Sequence, residues 1–289
     1  LSIFGDHSDV MACRSTGFAM LASANAQECQ DLAAVAHLAT LESRIPFVHF
    51  FDGFRTSHTI QKIEQIDYDT YREMIDMSFV EAFRNGSMKP EKPYLKVGAQ
   101  NPDVYFQGRE TTNLMYDATP AMVQKYMDVI AKFTGRKYEL FEYIGDPNAE
   151  KMIIAMGSSA DTITETVEYL TSKGEKVGAL IVKLYRPFSV KDFVAKIPQS
   201  VKQIAVLDRT KEPGAIGEPL YLDTVVALKD RSINIIGGRY GLSSKEFTPS
   251  HVKAVYDHLD NNGWHNFTVG INDDVSHLSI PVLNEIDTE

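Results

Sequence analysis

Five short apolar runs in the second half of the chain constrain the fold more than any other feature. They lie at residues 152–156, 179–184, 203–207, 233–236 and 267–269. They recur about every 25–30 residues, the interval taken by one strand and its crossover helix in a parallel sheet. The stretches between them have helical periodicity. In residues 160–173, Ile163, Val167 and Leu170 fall at i, i+4 and i+7, and Gly174 is placed to end the helix. In residues 249–259, Thr248 stands as N-cap, Pro249 at the first helical position, and Val252, Val255 and Leu259 form the inner stripe. Right-handed crossovers then predict an open, wound, mostly parallel sheet.

The first half reads as α/β as well. Residues 1–4 form a short apolar run that predicts a strand, and residues 10–23 predict a helix. Residues 27–43 predict a second helix, apolar on most sides and so buried against a sheet. The continuous apolar run at 45–51 predicts a strand covered on both faces. A helix is predicted over 67–83, stopped by Asn85-Gly86. Residues 89–116 carry Pro90, Pro93 and Pro102 and read as a long irregular stretch, the kind that holds an interface or a site. Residues 120–133 predict a helix with Pro120 at its first position and Gly135 just past its end. A domain boundary is expected near this helix, separating residues 1–120 from 121–289.

Composition narrows the function classes. The chain has 289 residues, 44% hydrophobic and 24% charged, with a formal net charge of -10. An acidic chain with scattered Lys and Arg is a poor partner for nucleic acid or an anionic membrane. No apolar run approaches the roughly 20 residues needed to span a bilayer. Cys13 and Cys29 have no metal-ligand spacing. Two thiols exclude an iron–sulfur cluster built from this chain alone, which takes about four. They also suit a reducing compartment. The chain opens Leu1-Ser2-Ile3-Phe4, with neither an initiating Met nor the head of a signal peptide. That beginning suggests a segment of a longer protein.

Several loops carry chemistry, each with a plainer structural reading beside it. Gly157-Ser158-Ser159 follows a predicted strand and opens a helix, so Ser158 and Ser159 are candidates to hold an anion on free backbone N–H groups. The alternative is a tight turn, with Ser158 and Asp161 as a capping box. Arg209 and Lys211 follow another strand end, where ligands of open α/β sheets collect, or they sit in a rigid interdomain loop. Gly237-Gly238-Arg239-Tyr240-Gly241 is a binding loop or a structural turn. Asp6 and His7 are an acid–base pair or a helix start. In the loop at 50–58, Arg55 can fork onto a carboxylate or phosphate and His58 can shuttle protons, with a domain interface as the plainer role. There is no Gly-x-Gly-x-x-Gly after a strand, no P-loop and no paired-histidine zinc motif.

Taken together the strings become specific. Gly5-Asp6-His7-Ser8-Asp9-Val10, Thr16-Gly17-Phe18-Ala19-Met20-Leu21, the run from Pro46 through Phe47-Val48-His49-Phe50-Phe51-Asp52-Gly53-Phe54-Arg55-Thr56-Ser57 to His58, and Tyr105-Phe106-Gln107-Gly108-Arg109-Glu110 resemble the pyruvate:ferredoxin (flavodoxin) oxidoreductase family. So do Leu184-Tyr185-Arg186-Pro187-Phe188, Leu207-Asp208-Arg209-Thr210-Lys211-Glu212-Pro213-Gly214 and Gly238-Arg239-Tyr240-Gly241-Leu242. The resemblance covers essentially the whole chain. Thr59 departs from it, standing where the family usually has Glu.

The resemblance implies an α/β fold. Residues 1–120 would be the C-terminal part of a thiamine pyrimidine-binding module, and 121–289 a transketolase C-terminal-like domain. The intact enzyme would be cytoplasmic, or in a hydrogenosome-like organelle of a eukaryote, and commonly dimeric. It would decarboxylate pyruvate oxidatively, acetylate coenzyme A, and pass electrons through [4Fe–4S] clusters to ferredoxin or flavodoxin. The family's cofactor-activating glutamate lies upstream of Leu1, and its diphosphate and Mg²⁺ motif lies in a distant domain. Gly145-Asp146-Pro147-Asn148 is not that motif. No known catalytic residue is therefore carried onto this numbering. The chain alone is expected to be inactive and to bind neither thiamine diphosphate nor metal. Asp6, His7, Arg55 and His58 remain candidates to line an interface with other domains. A free-standing α/β module that binds a phosphate or nucleotide at Ser158, Ser159 and Arg209 is the alternative.

Overall fold

A computed structural model describes residues 2–93, 98–283 and 286. Its main body is a six-stranded sheet built from β3 (Phe141–Gly145), β4 (Lys151–Ala155), β5 (Val177–Val182), β7 (Gln203–Asp208), β8 (Asn234–Arg239) and β9 (Phe267–Thr268). The order is β3-β5-β4-β7-β8-β9. Every neighbouring pair is parallel except β3 with β5. The expected wound sheet is thus present. The antiparallel edge strand β3 has no counterpart among the apolar runs, because three of its five positions are only half buried.

Helices cover both faces, as parallel strands buried on both sides require. On one face α7 (Ser159–Ser172) and α10 (Pro249–Asp260) bury Ile163, Val167, Leu170, Val252, Val255 and Leu259. On the other, α8 (Val190–Lys196) and α9 (Pro219–Ala227) contribute Phe193 and Leu220 to a larger core. That core continues into the first half of the chain through α2 (Ala26–Ser43) and α6 (Asn113–Thr134).

A second, three-stranded sheet has the order β2-β1-β6, from β1 (Ala19–Ala22), β2 (Phe47–Phe50) and β6 (Leu184–Arg186). Strand β6 follows β5 after a single residue, Lys183, so one extended stretch pairs first in the large sheet and then in the small one. The run at 179–184 therefore belongs to both sheets. Lys183 marks the crossing. Its backbone bonds Ala22 and Leu140, and its side chain is 2% exposed. The buried ammonium meets Glu28 at 2.6 Å and Glu142 at 3.2 Å. Burial alone would lower the Lys183 pKa, but the two carboxylates raise it, so the residue is charged.

Tertiary context overrode several local expectations. Residues 2–4 form no strand and Leu1 lies outside the described residues; Phe4 packs instead on Phe54, with ring centroids 4.5 Å apart. The helix expected over 10–23 is short, α1 (Ser8–Ala12), and Ala19–Ala22 is a fully buried strand. Gly17, at φ 95°, makes the intervening turn and its carbonyl accepts from the Tyr116 hydroxyl at 2.7 Å. The helix expected over 67–83 is two, α3 (Tyr68–Met74) and α4 (Met77–Gly86), because Asp76 caps the second through the Ser78 N–H at 2.9 Å. The irregular stretch at 89–116 contains α5 (Pro102–Glu110) and the start of α6, while its residues 94–97 lie outside the described set.

Helix α6 begins seven residues before Pro120 and runs through it. The expected division at 120/121 falls inside this helix. Its later turns are bound to α2: Lys125 and the Tyr126 hydroxyl both reach Glu42 at 2.7 Å. Beyond its end, Arg136 and Tyr138 hold the fully buried Asp31 at 2.6 and 2.7 Å.

Replacing Lys183 by Ala strands two carboxylates at the crossing of the sheets. Lys183→Ala is expected to cost about 3–5 kcal/mol in chemical denaturation, the penalty for orphaning buried charge. The combined variant Lys183→Met, Glu28→Gln, Glu142→Gln should recover most of it. A loss below about 1 kcal/mol for the single variant would show that Lys183 is not a structural tie.

Candidate functional site: a plugged switch point

In the six-stranded sheet the chain runs from β4 outward to β5, then crosses to β7 on the other side of β4. The crevice beyond the carboxyl ends of β4 and β7 is the place where open α/β sheets receive ligands. Two of the sequence candidates stand there: Ser158 just after β4, at the start of α7, and Arg209 just after β7. The crevice is filled by the first half of the chain. The loop after β2 inserts Asp52, and the turn before α1 inserts His7.

Asp52 is the hub. Its side chain is 0% exposed. One carboxylate oxygen accepts from the backbone N–H of Ser158 at 2.7 Å and from Arg209 Nη1 at 2.8 Å. The other meets His7 Nε2 at 2.5 Å. The same guanidinium nitrogen donates to Ser158 Oγ at 2.8 Å, and Arg209 Nε donates to the Gly241 carbonyl at 2.9 Å. The His7 backbone N–H closes the ring by donating to the Arg209 carbonyl at 2.9 Å. Burial alone would push the Asp52 pKa up. His7, Arg209 and the Ser158 hydrogen bond reverse that and hold it far below the usual carboxylate range. His7 Nδ1, the other ring nitrogen, is buried with no hydrogen-bond partner among the described residues.

Backbone shape makes the fit possible. Gly157 has φ +82°, and a Cβ there would lie 2.8 Å from the Asp52 carboxylate. A Cβ on Gly5 would lie 2.6 Å from the Arg209 guanidinium. Any other residue at 157 is strained as well as crowded.

The remaining candidates divide. Arg55 reaches across the seam to the Ser244 carbonyl at 2.6 Å and to Glu246 at 2.7 Å. Asp6 accepts from the Ser8 N–H at 2.8 Å, the local bonding of a helix start. His58 stands apart, stacked on Phe54 at 4.2 Å with Nδ1 at 2.8 Å from Ser57 Oγ. Ser159 does not face the hub; its hydroxyl pairs with the buried Tyr240 hydroxyl at 2.7 Å. The capping box expected from Ser158 and Asp161 is not formed, because the Ser158 side chain bonds Arg209 and makes no cap hydrogen bond. Asp161 instead accepts from Asn25 at 3.3 Å. Asp52 lies two residues past β2, which is an edge strand half buried at Phe47, Val48 and His49 rather than covered on both faces, and nothing local in the sequence marks it out beside Arg55 and His58.

Beside the hub lies a groove of about 290 Å³, bordered by Asn25, Arg55, Thr56, Ser158 and Asp161. Neither it nor the hub suits a thiamine diphosphate–metal site. Among the described residues no group of His, Cys, Asp or Glu could hold a metal ion. The anion cradle at the ends of β4 and β7, the Ser158 N–H with Arg209, already carries Asp52. A free phosphate at these donors would have to displace a buried carboxylate. Among the described residues no helix is long and apolar enough to cross a membrane.

A solved 2-oxoglutarate:ferredoxin oxidoreductase from Magnetococcus marinus matches 90% of the chain and 45% of its own, with a TM-score of 0.53 and 16% identity, a likeness of fold alone. Residues 1–128 match the family profile for pyruvate flavodoxin/ferredoxin oxidoreductase, thiamine diphosphate-binding. Residues 149–252 match that for pyruvate:ferredoxin oxidoreductase core domain II. The pyruvate:ferredoxin oxidoreductase of Moorella thermoacetica is 58% identical over 291 residues, which is 100% of this chain and 25% of the relative. The pyruvate-flavodoxin oxidoreductase of Rhodospirillum rubrum is 58% identical over 98% of the chain and 25% of its own length. One from Nostoc sp. strain ATCC 29151 / PCC 7119 is 55% identical over 97% of the chain and 70% of its length. The chain belongs to the pyruvate:ferredoxin/flavodoxin oxidoreductase family, and it spans about a quarter of the length of the first two of these relatives.

Two outcomes test the hub. Asp52→Asn leaves Arg209 buried beside a neutral partner and should cost about 3 kcal/mol at neutral pH. Because the folded carboxyl titrates below its ordinary 3.8, its stabilisation is fully present above that value and is lost as pH falls beneath it. The stability gap between wild type and Asp52→Asn should therefore narrow from about pH 5 to about pH 2.5; a constant gap would refute the ion pairing. Gly157→Ala should cost about 1–3 kcal/mol in the same measurement, through strain and the lost Asp52 contact; a neutral effect would show that the loop relaxes freely.

Proposed function

We propose that this chain is the interlocked pair of α/β units within a thiamine-diphosphate-dependent 2-oxoacid oxidoreductase. The intact enzyme decarboxylates pyruvate oxidatively to acetyl-CoA and passes electrons to ferredoxin or flavodoxin. The observation that carries this reading is 58% identity along 291 residues with a pyruvate:ferredoxin oxidoreductase. Residues 1–120 contribute the pyrimidine-side module and residues 121–289 the transketolase C-terminal-like domain. Mg²⁺, the diphosphate ligands and the [4Fe–4S] clusters belong to other segments. The enzyme works as a homodimer, in the cytoplasm or in a hydrogenosome-like organelle.

Within that enzyme the cofactor supplies the carbanion chemistry, and the residues here position the modules. His7, Ser158 and Arg209 grip Asp52, and Arg55 of the same loop ties to the Ser244 carbonyl and Glu246, fixing the small sheet against the large one. No proton transfer or nucleophile is assigned to them; Asp52 holds His7 Nε2, Ser158 and Arg209, and Arg55 holds the Ser244 carbonyl and Glu246.

Calorimetric titration of the 289-residue chain with thiamine diphosphate and Mg²⁺ should give no saturable heat. The chain with pyruvate, coenzyme A and methyl viologen should reduce no dye, whereas a full-length enzyme containing it does both. Micromolar cofactor affinity of the chain alone (about -8 kcal/mol) would overturn the assignment of the cofactor to other segments. A full-length enzyme that oxidises another 2-oxoacid but not pyruvate would overturn the substrate.

A further inference from the structure

Beside the seam, a hollow of about 300 Å³ opens beyond the carboxyl ends of β7, β8 and β9. It meets the hub at Gly241, whose carbonyl accepts from Arg209 on the far side of the wall, and neither the proposed activity nor the family match assigns it a role. Its walls are apolar: the Tyr240 ring, Leu242, Val269 and Ile271. Tyr240 is 2% and Val269 3% exposed, so the inner surface is part of the packed core, while Ile271, at 41%, forms the mouth. Such a size lies at the lower end of small-ligand pockets, and the strand-end position is where they occur in this class of sheet.

The rim is basic. Lys211, Arg239 and Lys245 border the hollow. Glu218, buried behind them, lies 3.3 Å from Arg239 and 3.4 Å from Lys211 and so offsets one positive charge. Arg239 is further held by Asn266. Lys245 is exposed, with no ion pair among the described residues. An excess of positive charge at an apolar cavity stands out in a chain of net charge -10. Thr268, also on the wall, has a hydroxyl that is buried without a hydrogen-bond partner among the described residues, a group the protein leaves unserved.

We propose that this hollow binds a small organic anion: an apolar ring or short chain seated against Tyr240, Leu242 and Val269, with its phosphate or carboxylate on Lys211 and Lys245. The apolar body supplies affinity by leaving water, and the cationic rim supplies the choice of sign. A dianion without an apolar body gains only the rim, where exposed charges contribute little. A cation or a neutral sugar gains neither.

Amide NMR of the 289-residue chain, titrated separately with adenosine monophosphate, hexanoate and inorganic phosphate, tests this. Adenosine monophosphate or hexanoate should shift the signals of Gly241, Leu242, Val269 and Ile271 with an affinity near about 1 mM or tighter. Response to the first alone identifies a nucleotide-like ligand, and to the second alone an organic acid. Lys245→Glu should weaken the binding about tenfold, and Ile271→Trp, which fills the mouth, should abolish it, with both variants retaining the wild-type spectrum elsewhere. The proposal is overturned if neither probe shifts these signals. It is equally overturned if inorganic phosphate binds as well as adenosine monophosphate, or if both variants bind unchanged.

Discussion

The buried carboxylate of Asp52 is the constraint on which the relation of the two sheets depends. Removing an ion from water costs several kcal/mol after relaxation, and the cost is offset only when good geometry and further hydrogen bonds surround it. Here the compensation comes from segments far apart in sequence: the turn holding His7, the start of α7 at Ser158, and the end of β7 at Arg209. None suffices alone. The guanidinium supplies charge, the backbone N–H at the start of α7 adds a donor and the helix field, and the imidazole caps the second oxygen. The loop after β2 is therefore stable in its place only when the large sheet is complete. Lys183 works in the reverse sense just before β6 of the small sheet. There a cation in the large unit is held by Glu28 of α2 and Glu142 of β3.

This arrangement changes what the second unit can do. A wound sheet of this order normally leaves its switch point open, and the free N–H groups and basic residue found there would invite a phosphate. Here the position is taken by a carboxylate from the neighbouring unit. The same donors that make an anion site make a socket, and a loop with Asp at the tip makes the plug. The switch point of this sheet is thus a joint between units, in a chain that spans about a quarter of the length of three of the relatives it matches.

The periodic parts of the fold were legible in the sequence, and the reasons are local. Strands such as Gln203–Asp208 and helices such as Pro249–Asp260 announce themselves because the apolar period is clear and, in the helix, the capping Thr248 and Pro249 at its first position agree with it. Ala19–Ala22 was hidden for the opposite reason. Alanine, methionine and leucine favour helix on their own, and only complete burial between β2 and β6 makes them a strand. In the site, Arg209 and Ser158 were visible because strand ends are visible. Their partner was not, because nothing local distinguishes an aspartate that stays in a turn from one that crosses to another unit. The glycines were the available signal: Gly5 and Gly157 both mark close approach of a side chain from the far unit.

A charged seam also differs from an apolar one in what it fixes. Two apolar faces slide with little change in free energy until their side chains clash. A carboxylate whose oxygens are each addressed by a directed donor has one position, and a displacement of about 1 Å breaks charge-assisted bonds of 2.5–2.8 Å that cannot be replaced by water in a dry site. In an enzyme whose reacting atoms are held between modules, errors of that size cost about a hundredfold in rate. The seam thus trades the larger stability of an apolar contact for a defined register, and its residues resemble catalytic ones in type because both roles call for groups that direct a hydrogen bond from within the core.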